Sequence, residues 1–229
     1  MHFHDRDQLV FASRGVMTVT TNDGAWVVPA YRAVWIPART THTIAMSGVV
    51  AMRTLYLKPR LAESLPRTCC VVNIPALLKE LILDACKVGS LGRRVSGQGH
   101  LIDVIVDQLR SVNVAPLQLT LPEDPRALRV ADLLLTDPSD ARPLAQIAPV
   151  SGASRRTIER LFVDETGMTF GKWRQQLRLM HAMRLLGGGA KVTLAALEAG
   201  YSTPSAFIAA FRKALGLTPA KYFKDPSGA

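Results

Sequence analysis

Between residues 8 and 57, apolar and polar positions alternate in short runs punctuated by turn residues. Gln8-Leu9-Val10-Phe11-Ala12 and Val16-Met17-Thr18-Val19-Thr20 flank Gly15. Asn22-Asp23-Gly24 is a turn signal, after which Trp26-Val27-Val28, Ala33-Val34-Trp35-Ile36-Pro37 and 49–57 resume extended structure. Strands this short and this regularly spaced predict a β-sandwich or barrel. From Ile74 the period lengthens to that of a helix. Residues 74–87 predict one helix, with Pro75 in its first turn. Residues 101–112 predict a second, on which Leu101, Ile105, Leu109 and Val112 form a stripe with Ile102 and Val106 beside it. A stripe so wide must cover the barrel or pair with a second copy of itself. Residues 113–125 hold Pro116, Pro122 and Pro125 and little periodicity, which predicts a linker.

The rest of the chain has helical periodicity. Pro125 opens a helix closed by Asp137-Pro138, and Pro143 opens a short one over Leu144–Ala148. After the Gly152 turn comes Ser154-Arg-Arg-Thr-Ile-Glu-Arg-Leu-Phe162. Here Ser154 is an N-cap, Ile158, Leu161 and Phe162 share one side, and Arg156, Glu159 and Arg160 share the other. Pro149 disfavours α geometry at Ala148, so the short helix before this turn ends early or kinks. Glu165-Thr166-Gly167 closes the Arg156 helix. A long helix over Phe170–Leu186 follows, with Trp173, Leu177 and Met180 toward neighbours and Arg174, Arg178 and Arg184 facing outward; Gly187-Gly188-Gly189 breaks it. A second pair of helices follows, Val192–Ala199 and the one begun by Ser202-Thr203-Pro204. On the last helix Phe207, Ile208, Phe211 and Leu215 lie opposite Ser205, Ala206, Ala209 and Lys213. Two helix-turn-helix units joined by one rod are therefore expected. Their second helices start at Ser154 and Thr203, and a 17-residue rod spans about 25 Å. With packing offsets at each end, the two helices approach the ~34 Å of one DNA turn.

Charge sharpens this picture. Among 229 residues, 28 Lys and Arg against 18 Asp and Glu leave a net charge of +10. Such a balance favours a polyanionic partner, but residues 1–121 and 122–229 each carry +5, so bulk charge does not say which half meets it. The excess of the second half is concentrated between Arg155 and Lys191, where eight basic residues face three acidic ones. An amphipathic surface helix has the same periodicity as the Arg156 helix; its chemistry is what distinguishes it. Arg reaches guanine O6 and N7 together, and Glu accepts from a cytosine amino group. Three cysteines, Cys69, Cys70 and Cys86, form no disulfide framework and suit a reducing cytoplasm. No signal peptide and no apolar run long enough to span a bilayer is visible, so no membrane role is expected.

The histidines form a second candidate site. His2-x-His4-x-x-x-Gln8, then Gly15, then Pro37 and His42, resembles the two sequence motifs of the cupin superfamily. That resemblance implies a double-stranded β-helix barrel and, as in many cupins, a metal held by two His, a Glu and a third His. Gln8 stands at the Glu position, and a neutral amide is a weaker ligand than a carboxylate. Three imidazoles still bind a divalent ion if His2, His4 and His42 converge. The alternatives are cavity-lining histidines without an ion, or N-terminal positions without a fixed place. A pocket in the barrel mouth lined by His4, Met17, Trp35, Arg53 and Tyr56 is equally open, since alternation alone does not say which of these point inward. Asp5 and Asp7 are the carboxylates near the histidines. Both are expected on the surface, which argues against acid/base catalysis.

Residues 125–223 resemble the AraC family of transcription regulators. The resemblance rests on Ser154-x-Arg156-Thr157-Ile158-x-Arg160-x-Phe162, Glu165-Thr166-Gly167 and Ala199-Gly200-Tyr201-Ser202, with Phe207, Phe211, Gly216 and Thr218-Pro219-x-x-Tyr222. It implies base contacts from Arg156, Glu159 and Arg160 in the first unit and from Pro204, Ser205, Ala206 and Ala209 in the second. Phosphate contacts are expected from Arg155, Lys172, Arg174, Arg178 and Lys213. The fold class is then α+β: a cupin-like β-barrel with helices at its end over 1–112, a linker over 113–124, and an all-α double helix-turn-helix domain over 125–229. The expected function is a cytoplasmic, non-enzymatic regulator that binds double-stranded DNA in a sequence-specific way. A homodimer, a small-molecule effector in the barrel and contact with RNA polymerase are its further partners. Two other readings compete: a cupin-type metal-binding protein or enzyme with an appended DNA-binding half, and a ligand sensor whose DNA contact becomes regulatory only on dimerisation.

Overall fold

Strand β1 (Asp7–Thr21) organises the N-terminal half in the computed structural model, which describes residues 1–115 and 117–223. Pro116 of the expected linker and residues 224–229 of the expected DNA-binding domain lie outside the described residues. β1 is one strand of 15 residues, not two strands flanking a turn. Gly15 sits inside it with φ +80°, and a Cβ there would lie 2.7 Å from the Val49 carbonyl oxygen, so the position excludes other side chains. The register with β4 (His42–Leu57) shifts on either side of Arg14. Gly15 is thus part of a β-bulge that bends a continuous strand. The turn at Asn22-Asp23 leads into β2 (Gly24–Pro29), and β3 (Arg32–Ile36) returns beside β1. β4 begins at His42, seven residues before the extended run visible in the sequence.

One strand escaped the sequence pattern. β5 (Cys70–Asn73) pairs antiparallel with β3, and its buried Cys70 and Val72 read from sequence only as a short apolar run. The expected linker is likewise not structureless, because β6 (Val114–Ala115) pairs with β5 and β7 (Gln118–Leu119) follows. The sheet runs β6-β5-β3-β1-β2-β7, with β4 also on β1, a nearly closed antiparallel barrel. Helices α1 (Ala76–Val88) and α2 (Gln98–Ser111) supply Leu78, Ile82, Ile105, Val106 and Leu109 to the same core as Leu9, Phe11, Trp35 and Val72. The wide stripe on α2 is therefore used within the unit, to cover the sheet.

The chain divides into two compact units, Met1–Asn22 with Trp26–Gln118, and Asp23–Ala25 with Leu119–Tyr222. The second is helical. α3 (Pro125–Thr136) is capped by Asp124, whose side chain accepts from the Arg126 amide. α4 (Leu144–Ile147) stops one residue before the Ala148–Ser151 3₁₀ turn that contains Pro149, the early ending expected of that proline. Then come α5 (Arg155–Thr166), α6 (Phe170–Gly187), α7 (Val192–Glu198), α8 (Pro204–Leu215) and α9 (Pro219–Tyr222). α6 is the axis of this unit: Phe170, Trp173, Leu177, Leu179, Met180, Ala182 and Met183 are all buried. No described helix is long and apolar enough to cross a membrane.

Candidate nucleic-acid interface and barrel site

The first helix-turn-helix is built on α5. Ser154 is extended and its hydroxyl accepts from the Thr157 amide at 3.2 Å, satisfying an orphan donor of the first turn. Gly167 closes the helix at φ +69°, in the left-handed region. Between these caps the buried face is Ile158, Leu161 and Phe162, and the Phe162 ring meets Phe170 and Trp173 edge-on at centroid distances of 5.3 and 5.1 Å. Arg156 and Arg160 are exposed on the other side. Glu159, half-buried beside them, is not free: the Arg155 Nε donates to its Oε1 at 2.8 Å, one turn apart. The Arg155 guanidinium and the Glu159 carboxylate thus hold each other, and a DNA contact by either must share or break this pair.

Glu165 also has a structural role that the sequence did not reveal. Its Oε2 accepts from the Glu123 and Asp124 amides at 2.8 and 3.0 Å, tying the end of α5 to the start of α3. The side-chain hydrogen bond from Arg126 holds the Asp124 carboxyl well below the usual range, at about 2.

The arginines of α6 do not face outward as expected. Arg174 donates from Nη1 to the Arg142 carbonyl at 2.7 Å and from Nη2 to the Asp140 carbonyl; its Nε is buried with no hydrogen-bond partner among the described residues. Arg178 donates to the Pro138 carbonyl at 3.2 Å and to the Asp140 carbonyl at 2.8 Å. Burial lowers the pKa of both Arg174 and Arg184, and for Arg174 the neighbouring Arg178 charge adds to the effect. The physical reason is in the loop before α4, whose carbonyls point toward α6 and need donors. Of the expected phosphate contacts, Lys172 and Lys213 remain exposed and Arg155 is paired with Glu159, while Arg174 and Arg178 hold residues 138–142 in place.

The second helix-turn-helix repeats the plan with smaller residues. Gly200 turns the chain at φ +78°, and the Thr203 hydroxyl caps α8 by accepting from the Ala206 amide at 3.1 Å. Phe207 and Phe211 are buried, and Tyr222 packs on Phe211 with ring centroids 5.2 Å apart. Ser205, Ala206, Ala209 and Lys213 are all exposed, with Arg212 beside them in the last turn.

In the N-terminal unit the histidines converge. His2 and His42 exchange backbone hydrogen bonds at 3.1 and 2.9 Å, so the start of the chain has a fixed place. The ligand atoms of His2, His4 and His42 lie within 4.8 Å of one another. His42 is fully buried, its Nδ1 is 2.8 Å from the Thr40 carbonyl, and its Nε2 has no hydrogen-bond partner among the described residues. Burial pushes its pKa down, which favours the neutral imidazole. Gln8 carries a network in place of a carboxylate: its Oε1 is 2.8 Å from His4 Nε2, and its Nε2 lies 2.9 and 3.1 Å from the Thr54 and Tyr56 hydroxyls.

The expected barrel-mouth pocket does not assemble. Residues directly opposite in an antiparallel pair share a face. Gln8 opposes Tyr56 and Ile36, while Leu9 opposes Leu55 and Trp35, and Phe11 opposes Arg53. His4 and Tyr56 therefore go with Gln8, whereas Trp35 and Arg53 lie on the other face. Trp35 packs toward α1 and α2, and its indole N–H donates to the Pro66 carbonyl at 2.8 Å. Met17 is fully buried in β1. Asp5 is exposed and pairs with Arg39, but Asp7 is buried, against expectation, and its carboxylate accepts the Ala38 amide at 2.8 Å. It serves as a cap for the turn at Ala38.

A capped helix with two exposed arginines, a second such helix held on the same axis, and a separate barrel define a DNA-binding regulator with an appended sensing unit. The family described as "AraC-like ligand binding domain" matches residues 1–93, and the one described as "Helix-turn-helix domain" matches residues 144–225. The HTH-type transcriptional regulator NimR of Escherichia coli (strain K12) is 34% identical over 222 residues, covering 97% of this chain and 81% of that protein. The chain belongs to the AraC family of transcription regulators. The HTH-type transcriptional regulator RipA of Corynebacterium diphtheriae is 35% identical over 80 residues, covering 35% of this chain and 24% of that one. Among solved structures, the DNA-binding domain of AdpA in complex with a target DNA is 31% identical, covers 44% of this chain and 91% of that chain, and has a TM-score of 0.41.

Proposed function

We propose that α5 reads bases through Arg156 and Arg160, with Glu159 joining them once Arg155 turns to a phosphate. The observation that carries this reading is the polarity of α5: one face locked into the core by Ile158, Leu161 and Phe162, the other presenting two exposed guanidiniums. α8 presents Ser205, Ala206 and Ala209, small residues that offer few hydrogen bonds but let backbone approach DNA closely, so its role is positioning and shape readout. Lys172 and Lys213 contact phosphates. Arg174 and Arg178 act indirectly, by fixing the loop that precedes the first unit. The regulator works in the cytoplasm as a homodimer, engages RNA polymerase at its promoters, and takes its signal from a small molecule bound by the N-terminal unit; it catalyses no reaction. Competition binding with DNA from upstream of its own and neighbouring genes tests the core of this. A native segment is expected to outcompete a scrambled duplex at least a hundredfold at moderate salt. Equal competition by both would remove the sequence-specific role.

A second reading has its own observation, the bare, buried Nε2 of His42 facing two other imidazoles. Three imidazoles without a carboxylate suit a borderline divalent ion such as Zn²⁺ or Ni²⁺; the Nδ1–carbonyl contacts of His4 and His42 fix ring orientation as outer-shell partners do, and His4 Nε2 would exchange its contact with Gln8 Oε1 for the ion. The residues fit such an ion, with His2, His4 and His42 as ligands and Gln8 beside them. An ion there would fasten the chain's start to β4. Elemental analysis of the purified protein is expected to find about one divalent ion per chain, lost in His42→Ala. Equal metal content in wild type and His42→Ala would reject the site.

A further inference from the structure

A cavity of about 310 Å³ opens in the N-terminal unit on the helix-covered face of the sheet. We propose that it, and not the barrel mouth, is the effector site, and that its ligand is a small carboxylate with a compact apolar body. The inference rests on the reading of this unit as the ligand-sensing half.

The chemistry of the wall sets the ligand class. Leu9, Trp35, Leu65, Val72 and Leu109 form an apolar lining and all are buried. The polar atom of Trp35 is already bonded to Pro66, so the side chains of the floor favour an apolar body over a polyol. The polar end is the rim, where Arg110 and Ser64 line the same cavity. Arg110 Nε donates to the Ser64 hydroxyl at 2.6 Å and Nη1 to Asp107 Oδ1 at 2.8 Å. Those contacts orient the guanidinium and use two of its five N–H donors, leaving three in a planar fork suited to the two oxygens of a carboxylate. Asp107 offsets the guanidinium charge at this rim, so the preference for an acid rests on the remaining N–H donors, which offer a cationic head no acceptor. The volume equals about ten water molecules and lies at the small end of ligand pockets. A medium-chain or arylalkyl acid fits it better than a long-chain lipid.

The position also suits a signal. Leu109 and Arg110 are in the last turn of α2, Val112 and Val114 of the same wall follow directly, and the second unit begins at Leu119. A ligand that holds this turn bears on the chain a few residues before the second unit. Of the residues expected to line a ligand pocket, only Trp35 borders this cavity.

Calorimetric titration of the full chain with octanoate, 4-phenylbutyrate, octan-1-ol and octylamine tests the site. At least one acid is expected to bind one-to-one, with the alcohol and amine at least tenfold weaker. Arg110→Gln, at an exposed position, should weaken the acid at least tenfold and leave the alcohol unchanged. Leu109→Trp should abolish binding by filling the cavity; because it alters the core, Arg110→Gln with an unchanged thermal melt carries the test by itself. No acid binding at millimolar concentration, or equal acid binding by wild type and Arg110→Gln, overturns the proposal. DNA affinity measured with and without the acid separates the two levels. Arg110-dependent binding that leaves DNA affinity unchanged upholds the site and removes its control role. A different small molecule that shifts DNA affinity while no acid binds removes the site and upholds ligand control.

Discussion

Replacing Phe162 with alanine is expected to destabilise the second unit by about 3–5 kcal/mol and to abolish DNA binding. Phe162 is fully buried and fills the space between α5 and α6, with Phe170 and Trp173 edge-on to its ring. Truncation loses the transfer free energy of the ring, opens a cavity that α6 cannot collapse into, and removes two aromatic contacts of roughly 0.5–1.5 kcal/mol each. A domain of this size has on the order of 5–15 kcal/mol in total, so a large fraction of the reserve disappears. Denaturant unfolding followed by Trp173 emission, in a background with Trp26 and Trp35 changed to Phe, reads the effect on this unit. A midpoint shift equivalent to less than about 1 kcal/mol would mean that α5 does not depend on this contact.

Arg160→Ala should act in the opposite way, with little effect on stability and about 1–3 kcal/mol lost from specific binding, roughly 5- to 150-fold. Arg160 is exposed and none of its donors is engaged by a residue described here, so truncation removes readout without removing structure. The loss should be confined to cognate DNA and should relax preference at one base pair. Lys172→Ala is the comparison: it should weaken cognate and random duplexes alike and reduce the salt slope by about one. If both variants lost affinity equally on the two kinds of duplex, Arg160 would be a phosphate contact and α5 would not read sequence.

The elements that were legible in the sequence are those specified locally. Ser154 and Thr203 cap their helices because a hydroxyl three residues before an amide suffices, and Gly167 ends α5 because only glycine enters the left-handed region at no cost. The buried face of α5 followed from a 3.6-residue period. What was missed depends on partners distant in the chain. Gly15 looks like a turn until β4 lies beside it and makes it a bulge. Trp35, Arg53 and Tyr56 could not be sorted between faces before the register with β1 was known. β5 has four residues and no alternation to announce it. The orientation of Arg174 and Arg178 is set by carbonyls 32 to 40 residues earlier, and no spacing on their own helix signals that. The histidines lay between these cases: their types were visible, but their convergence waited on the His2–His42 bridge.

Arg178 has a consequence for how such a regulator acquires new targets. Its guanidinium bonds the loop before the first helix-turn-helix and also lies against the turn of the second, where a Cβ on Gly200 would come within 2.9 Å of it and of Ser139 Cα. One side chain on α6 therefore touches both the loop before the first helix-turn-helix and the turn of the second. If the proposed base contacts on α5 and α8 hold, exchange of their exposed side chains is expected to change the sequence read, while Arg178 keeps the two helix pairs on one frame.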